Sequence, residues 1–291
     1  MRTALSRKQF IQMAAAAGAL AQTGGITARQ VIERIQKNVG VPWRTETVDT
    51  FKAGDPDTPV KGIATTCMAT FDVLKRAAGA GRNLVITHEP TFYNHLDATK
   101  DFAEDPVYLA KQEFIRKNSL VVWRFHDHWH ARRPDGIQTG MTRALGWEKY
   151  QSADNPRHYV LPGSTLEGLA GSIRKKLGIR AMRVVGDPRI EVSRVALLPG
   201  AGGLAGLVRT LSRPEIDAVI VGETREWEGV EYAQDTIASG KKKGLLILGH
   251  VISEEGGMRE CADWLKGFVS EVPVEFVPAG EPFWRPDAKH A

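Results

Sequence analysis

The sequence predicts an α/β fold with mostly parallel, helix-covered sheets. Three observations lead there. Short, nearly continuous apolar runs alternate along the chain with amphipathic segments of helical period, and no repeat or low-complexity tract interrupts them. Several of those apolar runs stop abruptly at a histidine or glutamate, which is how ligand sites form beyond the carboxyl ends of strands in open α/β sheets. The 291 residues, 42% hydrophobic and 25% charged, suffice for one large α/β domain or two intimately packed lobes.

In chain order, "ITARQVIERIQKNV" predicts a helix with Thr27 as N-cap and Val31, Ile32, Ile35 and Val39 on its apolar face. "VKGIATT" follows as a strand, "MATFDVLKRAAGAG" as a helix closed by glycine, and "NLVIT" as a buried strand. "DPVYLAKQEFIRKN" is a second amphipathic helix and "SLVVWRF" a further buried strand. Around residues 140–165 the chain turns polar and carries Gly and Pro, which marks a lobe junction. A second α/β region then begins with "STLEGLAGSIRKKLG", a helix capped by Ser164 or Thr165 with Glu167 nearby. "VSRVALLPGAGG" reads as a strand running into a glycine-rich turn. "IDAVIVGE", a helix through "WEGVEYAQDTIASG", and "GLLILGH" complete the pattern.

The first 21 residues stand apart. A basic start (Arg2, Arg7, Lys8), a modestly apolar centre and Ala19-Leu20-Ala21 have the grammar of a signal peptide. "SRKQFI" resembles the twin-arginine export motif, with Lys8 where the second arginine would stand. The expectation is therefore a leader over residues 1–21, a mature chain over 22–291, and export to the periplasm; a chain that keeps this segment as an ordinary helix would stay cytoplasmic. The apolar centre is too short and alanine-rich for a membrane span. Three of the 39 basic residues lie in this segment, leaving 36 against 34 acidic. That balance argues against nucleic acid or a membrane surface as partner. Cys67 and Cys261 are far apart and form no CxxC pair, which excludes a disulfide framework and argues against thiolate metal ligation.

The ionisable residues gather where strands end. "NLVIT" leads into His88-Glu89-Pro90, "SLVVWRF" into His126-Asp127-His128-Trp129-His130, "DAVIVG" into Glu223, and "GLLILG" into His250 with Glu254 four residues on. The run "HDHWH" spends three of eight histidines in five residues. An extended run would present all three to one face; the run is either part of a metal site or a solvated His-rich loop. If a helix begins after Gly249, His250 and Glu254 share a face and reach one cation; alternatively Glu254 and Glu255 simply complement the helix dipole. His88 and Glu89, being adjacent, either serve one ion each or form a polar loop before Pro90. His95 and Asp97 either line a cavity mouth or belong to a solvated loop. "PGAGG" before "LAGLVRTL" presents amides suited to a phosphate or carboxylate, or is a tight turn. The tryptophans at 123, 129, 147, 227, 264 and 284 read as core or interface.

Taken together, His88, Glu89, His126, His130, His250 and Glu254 offer nitrogen and oxygen donors without thiolate. Such a set suits divalent zinc, manganese, iron, cobalt or nickel. Six ligands exceed what one tetrahedral ion needs, and two ions about 3.5–4 Å apart would use them economically.

In this order and at these positions the residues resemble the NIF3-like family, dinuclear-metal proteins often labelled GTP cyclohydrolase 1 type 2 homologues. The family carries His-His-Pro after an early strand, His-x-x-x-Asp after the next and Gly-His-x-x-x-Glu near the C-terminus. Here Glu89 stands for the second histidine and His130 for the aspartate, while Gly249–Glu254 match; Gly222-Glu223 and Pro199–Gly203 look like further landmarks. The likeness covers residues 27–275. It implies two intertwined α/β lobes with the metal site in the cleft between them, two divalent ions per chain, and a hexameric ring of identical subunits. It also implies that His130 ligates in an aspartate's place, that His126 sits at the site edge as ligand or supporting residue, and that His128 does not ligate.

Two functional classes follow. One is a metal-dependent hydrolase acting on an ester, amide or phosphate bond of a small-molecule substrate, with Glu223 as candidate general base or as partner to a ligand. The other is a metal-binding scaffold or regulatory oligomer without turnover. Turnover against phosphoesters, nucleotides and cyclic amides, with and without metal, separates them.

Overall fold

A computed structural model describes residues 25–286; the leader expected over 1–21 lies outside the described residues. The chain enters through helix α1 (Ala28–Asn38), where Thr27 and Gln30 cap reciprocally and Val31, Ile32 and Ile35 are buried. The first half then builds β1 (Phe51–Ala53), β2 (Ile63–Thr66), α2 (Phe71–Gly79), β3 (Leu84–Thr87), α3 (Pro106–Lys117), β4 (Val121–Arg124), the short α4 (Asp127–Ala131) and α5 (Gly136–Leu145). The second half adds β5 (His158–Thr165), α6 (Leu166–Leu177), β6 (Arg183–Val185), β7 (Glu191–Ala201), α7 (Leu204–Leu211), β8 (Ala218–Glu223), α8 (Glu231–Ala238), β9 (Gly244–Ile247), α9 (Ile252–Lys266) and β10 (Val274–Phe276). Among the described residues no helix is long and apolar enough to cross a membrane.

Among the described residues the strands form two five-stranded sheets, ordered β1-β4-β3-β2-β10 and β5-β7-β8-β9-β6. Within each, the central strands run parallel and are buried on both faces, as continuous apolar runs require. The antiparallel strands β1, β5 and β6 lie at edges. The expected mostly parallel pattern therefore holds, and β10 extends it to one margin by pairing parallel with β2.

Register explains why the ionisable residues meet. Thr66 pairs with Thr87 and Thr87 with Arg124, so β2, β3 and β4 end level and the residues that follow emerge at one edge. In the second sheet Val221 pairs with Ile247, which brings Glu223 and His250 out side by side. Helix α9 packs against both sheets, touching β2 and β10 of one and β7 and β8 of the other, and so carries Glu254 between them. It also lies against α5 at backbone contact: a Cβ on Gly140 would fall 2.1 Å from the Gly256 carbonyl oxygen.

One local reading is decided and another gains detail. The His-rich run is helical, not extended: β4 ends at Arg124 and α4 begins at Asp127. Residues 140–145 of the expected junction complete the buried helix α5, and 158–165 form β5. Trp123, Trp129 and Trp147 are buried and Trp264 packs against them, whereas Trp227 and Trp284 are exposed.

Candidate metal centre

Six side chains that follow three strand ends meet at the junction of the sheets. His88 and Glu89 follow β3, with their backbone N–H groups still donating to Thr66 and Cys67 of the neighbouring strand. His126 caps α4 and His130 lies within it four residues on, so the helical period puts both on one side. His250 follows β9, and Glu254 sits in the first turn of α9.

The four histidines are arranged alike. Each commits Nδ1 outward: His88 to the Phe125 carbonyl at 3.0 Å, His126 to Asp127 at 2.9 Å, His130 to Asp135 at 3.1 Å and His250 to Glu223 at 3.0 Å. Each thereby turns Nε2 inward. Nε2 of His88 lies 3.2 Å from Nε2 of His130 and 3.7 Å from Oε2 of Glu254. Nε2 of His250 lies 3.2 Å from Oε2 of Glu254 and 3.3 Å from Oε1 of Glu89, which is itself 3.7 Å from Nε2 of His126. Two groups could each hold an ion: His88, His126 and His130, and His88, Glu89 and Glu254, with donor atoms all within 4.8 Å of one another.

The spacings fit a cation. Donors about 2.1 Å from a tetrahedral centre lie about 3.4 Å apart, and these five pairs of inward atoms sit 3.2–3.7 Å apart. Ligating histidines characteristically donate their other ring N–H to a carboxylate or a carbonyl, which fixes the tautomer and raises basicity. All four do so here.

The electrostatics fit as well. Burial disfavours charge on His88 and brings it down to about 4, so it is neutral at pH 7. Burial also lowers His126. At His130 burial is outweighed by the bond to Asp135, and its pKa rises. At His250 burial is overcome by hydrogen bonds to Glu223, Glu254 and Glu89, which push it up to about 12. Glu89 and Glu254 resist the raising effect of burial through their histidine neighbours and remain ionised. A cluster that holds two buried carboxylates against the protonated His250 is one in which a divalent ion can replace a proton.

The remaining sequence candidates fall elsewhere. Glu223 stands on the outer side of His250, its side chain 55% exposed, and a hydrogen bond to His250 lowers its pKa. His128 points away from the cluster. Its Nδ1 meets Asp49 at 2.7 Å, its Nε2 accepts from the Arg44 N–H, and its ring stacks on Trp43. Helical geometry separates it from His126 and His130. His95 is exposed, its ring 5.9 Å from that of His126, while Asp97 clamps its own loop by accepting from the Thr91 and Phe92 N–H groups. In "PGAGG", Gly200 adopts φ +73° and lies against Glu254. A cavity of about 440 Å³ opens beside His250 and Glu223, lined also by Met182, Phe283 and Trp284.

Sequence reasoning missed the supporting groups. Asp127 and Asp135 were in view one and five residues from their histidines, but only the folded backbone aims them. Arg124 carried a signal, a charge closing an apolar strand. Cys67, buried with its thiol 3.7 Å from Glu254, carried none.

The comparisons with known proteins agree with this architecture. The family described as Duf34/NIF3 (NGG1p interacting factor 3) matches residues 27–282. A GTP cyclohydrolase 1 type 2 homolog of Campylobacter jejuni is 23% identical over 221 residues, covering 76% of this chain and 84% of that protein. One from Clostridium perfringens is 22% identical over 241 residues, covering 78% and 86%. Among solved structures, a Bacillus cereus protein related to NIF3 superposes with TM-score 0.69 at 14% identity over 92% of this chain and all of that one. A Staphylococcus aureus hypothetical protein gives 0.69 at 16% identity, over 90% and 99%. With the family matched across nearly all of the described residues and the same fold in its solved relatives, the chain belongs to the DUF34/NIF3 family.

Proposed function

We propose that this centre binds two divalent metal ions and that the protein is a metal-dependent hydrolase. The observation that carries the reading is the shared orientation of His88, His126, His130 and His250. Each has Nδ1 tied to an acceptor, and each turns Nε2 toward the other donors and two buried carboxylates. His88, His126 and His130 would hold one ion, and Glu89 and Glu254, which share His88 with that group and have His250 beside them, the other. Bound divalent ions would supply Lewis acidity and lower the pKa of coordinated water toward about 7.

The chain's own residues do the rest. Phe125, Asp127, Asp135 and Glu223 fix the tautomer and direction of the four imidazoles. Glu223 touches His250 through Nδ1, so it serves as a positioning residue for that ligand. Arg124 and the β-strand ends hold the donors on rigid elements. The cavity beside Glu223 and His250 is where a small molecule with an ester, amide or phosphate bond would sit against the edge of the centre.

Elemental analysis after reconstitution, run beside turnover on phosphoesters, nucleotides and cyclic amides, tests this. Two equivalents of metal with metal-dependent turnover support it. A metal content near zero removes it, and two bound ions with no turnover favour the scaffold reading. The proposal includes export with cleavage after Ala21: a native-host protein beginning at Gln22 supports it, and one with an intact Met1 refutes it. It also includes a hexamer, which a light-scattering mass near 32 kDa would remove.

A further inference from the structure

We infer that the C-terminal strap, residues 280–285, completes the substrate site. Phe283 and Trp284 form a wall that seats a planar aromatic ring of the substrate, with the ring's reactive substituent at His250. This rests on the proposed function above, whose substrate class it narrows to compounds that carry an aryl group.

The strap is pinned to both sheets. Its chain leaves β10 at the margin of the first sheet, where the Val277 N–H donates to the Thr65 carbonyl and Arg76 donates to the Pro278 carbonyl. Gly280, at φ +76°, then donates its N–H at 2.7 Å to Oε1 of Glu255, the residue after the donor Glu254. Glu281 fixes the other side. Its nearly buried carboxylate accepts from the Arg180 and Ala181 N–H groups at 2.6 and 2.9 Å, just before β6, and its carbonyl accepts from the Arg180 guanidinium. The backbone that carries Phe283 and Trp284 is thereby held in place. Both residues lie just past 27–282, the span that the family match covers.

Phe283 and Trp284 are each 60% exposed. Two adjacent large rings left facing water on an anchored segment mark a binding surface. Both line the cavity of about 440 Å³ whose wall also includes Met182, Glu223 and His250. Apolar walls with a few polar groups, at this volume, suit a small molecule. The wall also selects among small molecules. Ring faces are flat and carry a quadrupole, so they gain more from an offset-stacked or edge-on ring than from a saturated group of the same size. The Met182 thioether adds sulfur–aromatic contact. His250 belongs to both the cavity and the centre, so a substituent that reaches it from the ring lies against the donors.

The test measures binding of phenylphosphonate, cyclohexylphosphonate and methylphosphonate, whose C–P bonds resist hydrolysis, to the zinc-loaded full chain by calorimetry. Phenylphosphonate should bind about 2–10-fold tighter than cyclohexylphosphonate, the margin of an aromatic pair over equal apolar burial. Trp284→Ala should erase that margin and bring phenylphosphonate down toward methylphosphonate, and Trp284→Phe should restore part of it. Glu281→Ala removes no lining side chain but releases the strap, so it should shrink the margin too. A margin that survives in the double variant Phe283→Ala/Trp284→Ala overturns the inference, as does a zinc-loaded chain that binds all three compounds alike or none of them. A lower light-scattering mass for the double variant, with the margin kept, also overturns it and makes the wall a contact between copies of the chain. A chain that takes up no zinc overturns the metal-binding reading instead, and the margin measured on the metal-free chain then decides this inference by itself.

Discussion

His88 and His130 face each other through their Nε2 atoms at 3.2 Å, with both Nδ1 atoms already committed, to the Phe125 carbonyl and to Asp135. Two neutral imidazoles in those tautomers would point lone pairs at one another. A cation must lie between them, either a proton on one ring or an ion shared by both. This pair therefore separates ligands from bystanders in the His-rich run. His130→Ala should lower metal content sharply while the fold persists, because its side chain is partly exposed. His128→Ala should keep the metal but lose stability by about 1–3 kcal/mol, since it strips a partner from buried Asp49. Elemental analysis with thermal denaturation checks both. Equal loss of metal in the two variants would show that the helix does not sort the histidines as its geometry indicates.

Glu223→Gln should retain metal and lose rate by about 10–100-fold, the effect of removing a partner that orients a ligand. A general base in contact with the reacting atoms would contribute about 10²–10⁴-fold. The carboxylate stands on Nδ1 of His250, on the far side from Nε2 and the donor cluster, so the smaller loss is expected. Kinetics on whichever substrate turns over, with metal content measured alongside, distinguishes the roles. Loss of metal together with rate would make Glu223 a ligand.

The sequence made the strand ends legible because parallel strands buried on both faces read as unbroken apolar runs, and an abrupt His or Glu at the end of one is visible without a structure. Helix α1 was legible for a similar local reason, its capping box lying within four residues. The three-residue strands β1, β6 and β10 were not, because so short a strand is defined by its neighbour across the sheet rather than by its own pattern. Helix α5 was obscured by Gly136 and Gly140, which lower helix propensity but permit contact with Trp129 and α9. The partner of His128 was hidden for a third reason: Asp49 reaches residues 126–128 from across the fold, and nothing in local spacing points to it.

Stability should rise between about pH 8 and pH 10.5 through Lys111. Burial lowers its pKa from 10.5 to about 8, against a smaller raising effect of Asp97. In this interval the unfolded chain binds the proton that the folded chain releases, so unfolding becomes less favourable as pH increases. The destabilisation is fully present below pH 8 and disappears above 10.5; its size is on the order of 3 kcal/mol. Urea denaturation at pH 7 and pH 10 should show the gain in the wild type and not in Lys111→Met. A rise of the same size in both would assign it to other groups.

Gly200 offers the most local test of how the two sheets share the centre. It follows Pro199 near the end of β7, at φ +73°, where a side chain is strained by about 1–2 kcal/mol. Space forbids a side chain as well: a Cβ there would lie 2.2 Å from Oε1 of Glu254 and 3.5 Å from Nε2 of His250. The Gly200 N–H also donates to the Ser253 hydroxyl at 2.9 Å, which ties this turn to the residue before Glu254. The glycine-rich stretch thus serves a close approach of backbone to a donor carboxylate. Gly200→Ala should displace Glu254, lowering metal content as well as stability. Gly203 is the matched control: it has φ −53° and no atom within 4 Å of a built Cβ. Gly203→Ala should change neither quantity. If instead the turn works as an anion cradle through its amides, Gly200→Ala should leave metal content intact and alter only substrate affinity, and the proposed role of Gly200 in seating Glu254 would fall.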